Sequence, residues 1–294
     1  MGFVRPIGAR NISVRGGSGI LPWEAWQLVT DNTRLSKLWG DHVKFPAKKG
    51  GIGLFVDVSR DFQVTWPVEV KELEEASLVR FEVVGNPWHH RPDLVDSIIS
   101  LTINDGIGLE MNGFDLTHMG DSSFFFASSW ALSRLGSIVG ALGGDPEQVT
   151  GSRSIWAESV FGIQPDQLRS RILDPELAIG WLGDQVDIEA RLGGHFNIRW
   201  NRSWGATGLE GSIIKFSPEE IAVKIAGNQI GDCCDGVYRF QMIQSGSQTK
   251  LVISMDGFDI EPWANIPLMI MSEMIQLQLA TLMIELNGQN LDPA

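Results

Sequence analysis

The chain is poor in the residues that most often carry chemistry. Its 294 residues include two cysteines, five histidines and one tyrosine. The cysteines are the neighbours Cys233 and Cys234. Two adjacent thiols cannot build a disulfide framework or complete a metal cage, so no metal site and a reducing compartment are expected. Basic side chains are also scarce, 23 against 36 acidic ones, for a formal net charge of -13. That field opposes any sequence-independent grip on phosphate backbones or anionic headgroups and argues against a nucleic-acid partner. Residues 1–10 have no apolar core of signal-peptide length, which favours a cytoplasmic location. Segments 122–142 and 267–286 approach membrane-spanning length, but Arg134 interrupts the first, and Glu273, Gln276, Gln278 and Glu285 the second. Buried helices, and no membrane insertion, are the expectation. The run Gly16-Gly17-Ser18-Gly19 lacks the lysine and parallel-sheet context of a phosphate loop, and no cofactor is expected.

What is present is an ordinary globular balance, 43% hydrophobic and 20% charged residues, in a chain longer than one hydrophobic core usually reaches. Laid against itself at an offset of 143, the sequence pairs Asp31 with Asp174, Gly40-Asp41 with Gly183-Asp184, Val43 with Val186, Ala47 with Ala190 and Gly50-Gly51 with Gly193-Gly194. Further on, Gly85-Asn86 meets Gly227-Asn228, and Met111, Gly113, Phe114 and Asp115 meet Met255, Gly257, Phe258 and Asp259. Matches in the same order along both halves point to an internal duplication. Two domains follow, 1–144 and 145–294, with Gly143-Gly144-Asp145-Pro146 at the junction as a helix stop and turn. So short a junction implies that the domains pack on each other.

The second half reads as a strand over 154–161, a helix from Pro165 to Leu173 and a second short helix over 176–181. Five strand-like runs follow, at 195–200, 209–216, 221–226, 237–244 and 251–255. Ser245-Gly246-Ser247 is a hairpin turn by composition, with Asn104-Asp105-Gly106 in the same place in the first half. Each half closes with a long apolar helix, from about Asp121 and about Trp263, the latter with Gly288 as its C-cap. The class is α+β, each unit a curved antiparallel sheet wrapped around its closing helix, with a cavity between them.

At this point the sequence resembles a known family. The segment Trp23-Glu24-Ala25-Trp26-Gln27-Leu28-Val29-Thr30-Asp31, then Leu38-Trp39 and Gly50-Gly51, is similar to the START-like (SRPBCC) superfamily, in its branch near the C-terminal domain of the Hsp90 ATPase activator. Leu173-Asp174-Pro175-Glu176-Leu177, Trp181 and Leu192-Gly193-Gly194-His195-Phe196 repeat the pattern. The resemblance implies tandem helix-grip domains with an apolar cavity that in many members holds a lipid, polyketide, steroid or hormone. It carries over no catalytic set, and the glycine run at 16–19 is an insertion relative to the second copy.

Eleven tryptophans against one tyrosine supply aromatic walls of the kind that suit flat apolar ligands. Trp66, Trp88, His89, Phe114, Trp130, Trp200, Trp204, Trp263 and Met269 are the expected ligand contacts. For acid/base chemistry the candidates are His89, His90, His118 and Asp115. Asp115 and Asp259 recur at the junction before the final helix, which favours a capping role. The second half has Cys233-Cys234 where the first has its histidines, so a shared catalytic mechanism is not expected, and the thiols read as inert. The leading functional expectation is a binding protein for a small hydrophobic or aromatic molecule. The alternatives are a cyclase or aromatase of natural-product biosynthesis, and a self-resistance or chaperone-associated module.

Overall fold

The structure is a computed structural model, and it describes residues 6–39, 42–44, 46–58, 63–84, 96–116, 121–202, 205–226, 236–260 and 264–288. The chain divides into two compact units, one of Ala9–Arg153 and one built on Ser154–Ala294. The division falls inside a strand, after Arg153.

In the first unit the order is β1 (Ile7–Gly16), α1 (Pro22–Thr30), α2 (Asn32–Trp39), β2 (His42–Lys44), β3 (Ile52–Val58), β4 (Gln63–Glu74), β5 (Leu78–Val83), β6 (Ile98–Asn104), β7 (Gly106–Asp115) and α3 (Asp121–Ala141). A 3-10 turn, Pro146–Gln148, precedes the second unit. That unit runs β8 (Thr150–Phe161), α4 (Pro165–Leu173), α5 (Pro175–Ala178), β9 (Gln185–Ile188), β10 (His195–Arg202), β11 (Gly205–Phe216), β12 (Glu220–Ile225), β13 (Val237–Ser245), β14 (Gln248–Asp259) and α6 (Asn265–Gly288). Within each unit the strands are neighbours in the same antiparallel order, β2-β3-β4-β5-β6-β7-β1 and β9-β10-β11-β12-β13-β14-β8. This is the helix-grip arrangement, a meander closed by its own first strand and covered by the last helix.

Local signals explain the helix starts. Asp31 Oδ1 accepts from the amides of Thr33 and Arg34 at 2.9 and 3.2 Å, and Asp174 Oδ1 accepts from the Glu176 amide at 3.0 Å. The repeated aspartate therefore caps the second short helix of each unit. Pro165 enters α4 at its first turn, and the Gln167 side chain reaches back to the Gln164 amide at 3.1 Å, as in a capping box. The second short helix of this unit is shorter than expected. It ends at Ala178, because Gly180 adopts φ +101° and Ile179 bridges to Gly183, which leaves Trp181 in a turn.

The glycine pairs act identically. Gly50 and Gly193 have φ +76° and +77°. Gly50 N donates to Val70 O while Val70 N donates to Gly51 O, and Gly193, Ile213 and Gly194 repeat that exchange. Each partner strand bulges directly after the contact, between Val70 and Glu72 and between Ile213 and Lys215, which bends the sheet over the interior. A Cβ on Gly194 would stand 2.1 Å from Glu189 O, whereas one on Gly193 would meet nothing within 4 Å. Gly194→Ala is therefore expected to destabilise by about 1–3 kcal/mol, the cost of forcing packed backbone apart. Gly193→Ala should lose only about 1 kcal/mol for its left-handed backbone. Denaturant unfolding of both variants checks the ranking, and equal losses would contradict it.

Sequence periodicity did not reveal the edge strands β2 and β9. Both are short, three and four residues long, as edge strands often are. The β9 edge is tied to β10 by His195, whose Nε2 lies 2.9 Å from Asp187 Oδ1 and whose Nδ1 lies 3.7 Å from Glu189 Oε2. The bond to Asp187 holds the His195 imidazole above its usual pKa, helped by the charges of Asp187 and Glu189 and opposed by desolvation and Arg191. A raised folded-state value means the protonated ring stabilises the fold. That contribution is whole below the unfolded value of 6.5 and is lost as pH rises through the higher folded value. An NMR titration of His195 should report that upward shift, and Asp187→Asn should abolish most of it.

Buried side chains alternate along the strands and form one stripe on each long helix. Phe124, Ala127, Trp130, Ala131, Leu135 and Ile138 of α3 are buried, as are Leu268, Met271, Met274, Ile275, Leu279 and Leu282 of α6. Residues Asn265–Leu286 are long and apolar enough to cross a membrane by length and composition. In the structure their buried stripe packs within the second unit.

Candidate functional site

Among the described residues, aromatic rings pack on one another in the interior of the first unit. Trp39 stacks on Trp130 at 5.6 Å, and Trp66 meets Trp130 edge-on at 4.6 Å. Phe55 contacts Trp39 at 4.9 Å and Phe81 at 5.3 Å. Trp66 and Trp130, expected on a cavity wall, thus lie against each other, and Phe114 is buried edge-on to Phe124 at 5.2 Å. Asp115, the last residue of β7, is also buried. Near it the buried Arg10 donates to Leu116 O at 3.0 Å, and the Arg10 and Arg153 guanidinium groups stand 5.6 and 5.9 Å from the Phe124 ring. Asp115 sits in a packed, charged seam of β7 and α3.

Two concavities stand out. One, about 460 Å³, belongs to the first unit and is bordered by Arg15, Ser18, Thr102, Asn104, Glu110 and Gln148. It exists where Gly16, Gly106 and Gly108 leave the ends of β1, β6 and β7 bare of side chains. It is wide and open, so water competes for every hydrogen bond it offers. The other, about 210 Å³, is more enclosed and belongs to the second unit. It lies between α6 and the turn after α5, with Trp200 of β10, Trp181, Met274, Leu277, Gln278 and Thr281 among its walls. Enclosure keeps water from competing for a ligand, so the smaller, more enclosed cavity, with both apolar and polar walls, is the candidate site despite the larger volume of the other.

A chain of buried hydrogen bonds builds this site. The Tyr238 hydroxyl donates to Gln278 Oε1 at 2.7 Å, and Gln278 Nε2 donates to Leu182 O at 2.9 Å. The Trp200 indole N–H donates to the same carbonyl at 2.8 Å. Trp181 is anchored separately, its N–H reaching Arg171 O at 3.3 Å. Both indoles are thus locked by backbone carbonyls, and the turn carrying Leu182 is held to β10 and α6. Burial pushes the Tyr238 hydroxyl far above its ordinary pKa, with the bond to Gln278 opposing slightly. Tyr238 is therefore a fixed neutral donor rather than an acid. At the rim, Asp184 Oδ2 accepts the Asn201 amide. Glu285, beside Gly180, is raised by burial while Arg171 pulls it down.

Of the residues singled out from sequence, Trp200 lines this cavity. Met269 is half-buried on α6 and is not among the walls. Trp88, His89, His90, His118, Trp204, Trp263, Cys233 and Cys234 lie outside the described residues. Sequence reading missed Trp181, Asp184, Tyr238 and Gln278. Gln278 had a visible signal, a polar side chain four residues after Met274 on the apolar face of a helix. Among the described residues no cluster of three histidine, cysteine or carboxylate side chains could hold a metal ion.

No protein-family model matches the chain, and no curated protein matches it. Among solved structures it is similar to CalU16 from Micromonospora echinospora, at 18% identity over 49% of this chain and 78% of that one, with a TM-score of 0.36. It is also similar to protein Ms6760 from Mycobacterium smegmatis, at 11% identity over 46% and 92%, TM-score 0.39. A third likeness is to an HSP90 activator from Plasmodium falciparum, at 15% identity over 36% and 73%, TM-score 0.29.

Proposed function

We propose that the second unit binds a small apolar or aromatic molecule of one or two rings in the cavity beneath α6. The observation that carries this reading is the enclosed space of about 210 Å³ walled by Trp181, Trp200, Met274 and Leu277. An apolar cavity of about 150 Å³ is enough to take up benzene, so this one suits a single ring with a short substituent or two fused rings. A four-ring steroid or a long acyl chain exceeds it. Gln278, whose amide is already oriented by Tyr238 and Leu182, supplies a fixed polar edge that selects pose. For a ligand of about ten heavy atoms, affinity should fall roughly between micromolar and millimolar.

Tryptophan fluorescence titration with one-, two- and four-ring aromatic compounds tests the reading. Saturable quenching by the small compounds alone is expected, and Thr281→Phe, which fills the space from α6, should abolish it. A flat response to every one- and two-ring compound would sink it.

We also infer that the two units are duplicated domains, 1–144 and 145–294. The same strand order, the capping aspartates 31 and 174, and the glycine exchanges at 50–51 and 193–194 support that history. The enclosed space beneath α6 supports assigning the binding role to the second copy.

A further inference from the structure

Resting on that reading, we propose that the ligand of the second unit's cavity is an organic cation, a small ring compound bearing a protonated amine. The walls carry charge of one sign. Among the described residues that border the space, Asp184 is the one charged side chain. It is an exposed residue of the rim, and its Oδ2 accepts the Asn201 backbone amide. A second carboxylate stands at the rim, with Glu285 Oε1 3.2 Å from where a Cβ on Gly180 would be. Gly180 is itself part of the wall. Arg171, which is not among the cavity walls, lowers the pKa of Glu285 against the effect of burial.

The indoles supply the walls for the ligand's ring. Trp181 and Trp200 are both buried in the wall. An ammonium at the mouth would have a carboxylate on one side and an indole-lined interior for its ring. A carboxylate in the same place would face Asp184 with no counter-charge. The field of the whole chain, with a net charge of -13, also raises the local concentration of cations and lowers that of anions.

Isothermal titration with 3-phenylpropylamine, 3-phenylpropanol and 3-phenylpropanoate at neutral pH separates charge from shape, since the three differ at one terminal group. The amine is expected to bind at least tenfold tighter than the alcohol, and the carboxylate not measurably. In Asp184→Asn, whose amide oxygen can still accept from Asn201, the amine should fall to the alcohol's affinity while the alcohol is unchanged. An amine no tighter than the alcohol, or an advantage that survives in Asp184→Asn, would overturn the cation assignment and leave the cavity reading standing. Failure of all three ligands would overturn both.

Discussion

Replacing Trp200 with alanine is expected to lower the unfolding free energy of the second unit by about 3–5 kcal/mol, the usual loss for a buried aromatic truncated in a core. Trp200 is 1% exposed, so nearly all of its surface must be returned to a void or to water. The substitution also removes one of the two donors to Leu182 O. That carbonyl keeps Gln278 as a partner, so the loss should be dominated by packing. Trp200→Phe retains most of the ring and removes the N–H, and should cost less than half as much. Guanidinium unfolding followed by far-ultraviolet circular dichroism measures both. A loss below about 1 kcal/mol in Trp200→Ala would mean the site relaxes freely, against the dense packing of protein interiors.

The second large effect concerns polarity rather than volume. Gln278→Leu strands the Tyr238 hydroxyl in the core and deletes a donor to Leu182 O. An unmet buried hydroxyl costs about 1–3 kcal/mol and a lost hydrogen bond about 1 kcal/mol, so a destabilisation of about 2–4 kcal/mol is expected. Removing the hydroxyl as well, in Tyr238→Phe/Gln278→Leu, should restore part of that stability, because no donor is then left without an acceptor. The double variant should be more stable than Gln278→Leu alone. Strict additivity of the two single changes would show that the 2.7 Å contact carries no coupling.

How far the fold and site were legible depends on the range of the interactions involved. Asp31 and Asp174 cap helices through amides two or three residues away, so their pattern alone announces a helix start. The turns at Gly106 and Gly246, with φ +109° and +62°, were readable for the same reason. Their backbone demands a residue without a Cβ wherever the rest of the chain lies. Strands with long alternating faces were equally plain. The edges β2 and β9 were not, because three or four residues are too few for an alternation to stand out.

The functional site was much less legible. Tryptophan abundance was read as cavity wall, yet Trp66 and Trp130 pack on each other at 4.6 Å, while Trp200 does border a cavity. Nothing in the local sequence separates these cases. Gln278 looked like an interruption in an apolar run, and its role emerged only through Leu182, 96 residues earlier, and Tyr238, 40 residues earlier.

The sequence by itself determined the order of elements, their caps and turns, and the twofold internal likeness, because each depends on backbone preferences and contacts within a few residues. The tertiary structure decided which indoles packed on one another and which came to border a hollow. That outcome depends on how side chains from distant strands and helices fill a shared volume, and volume is a property of the assembled core.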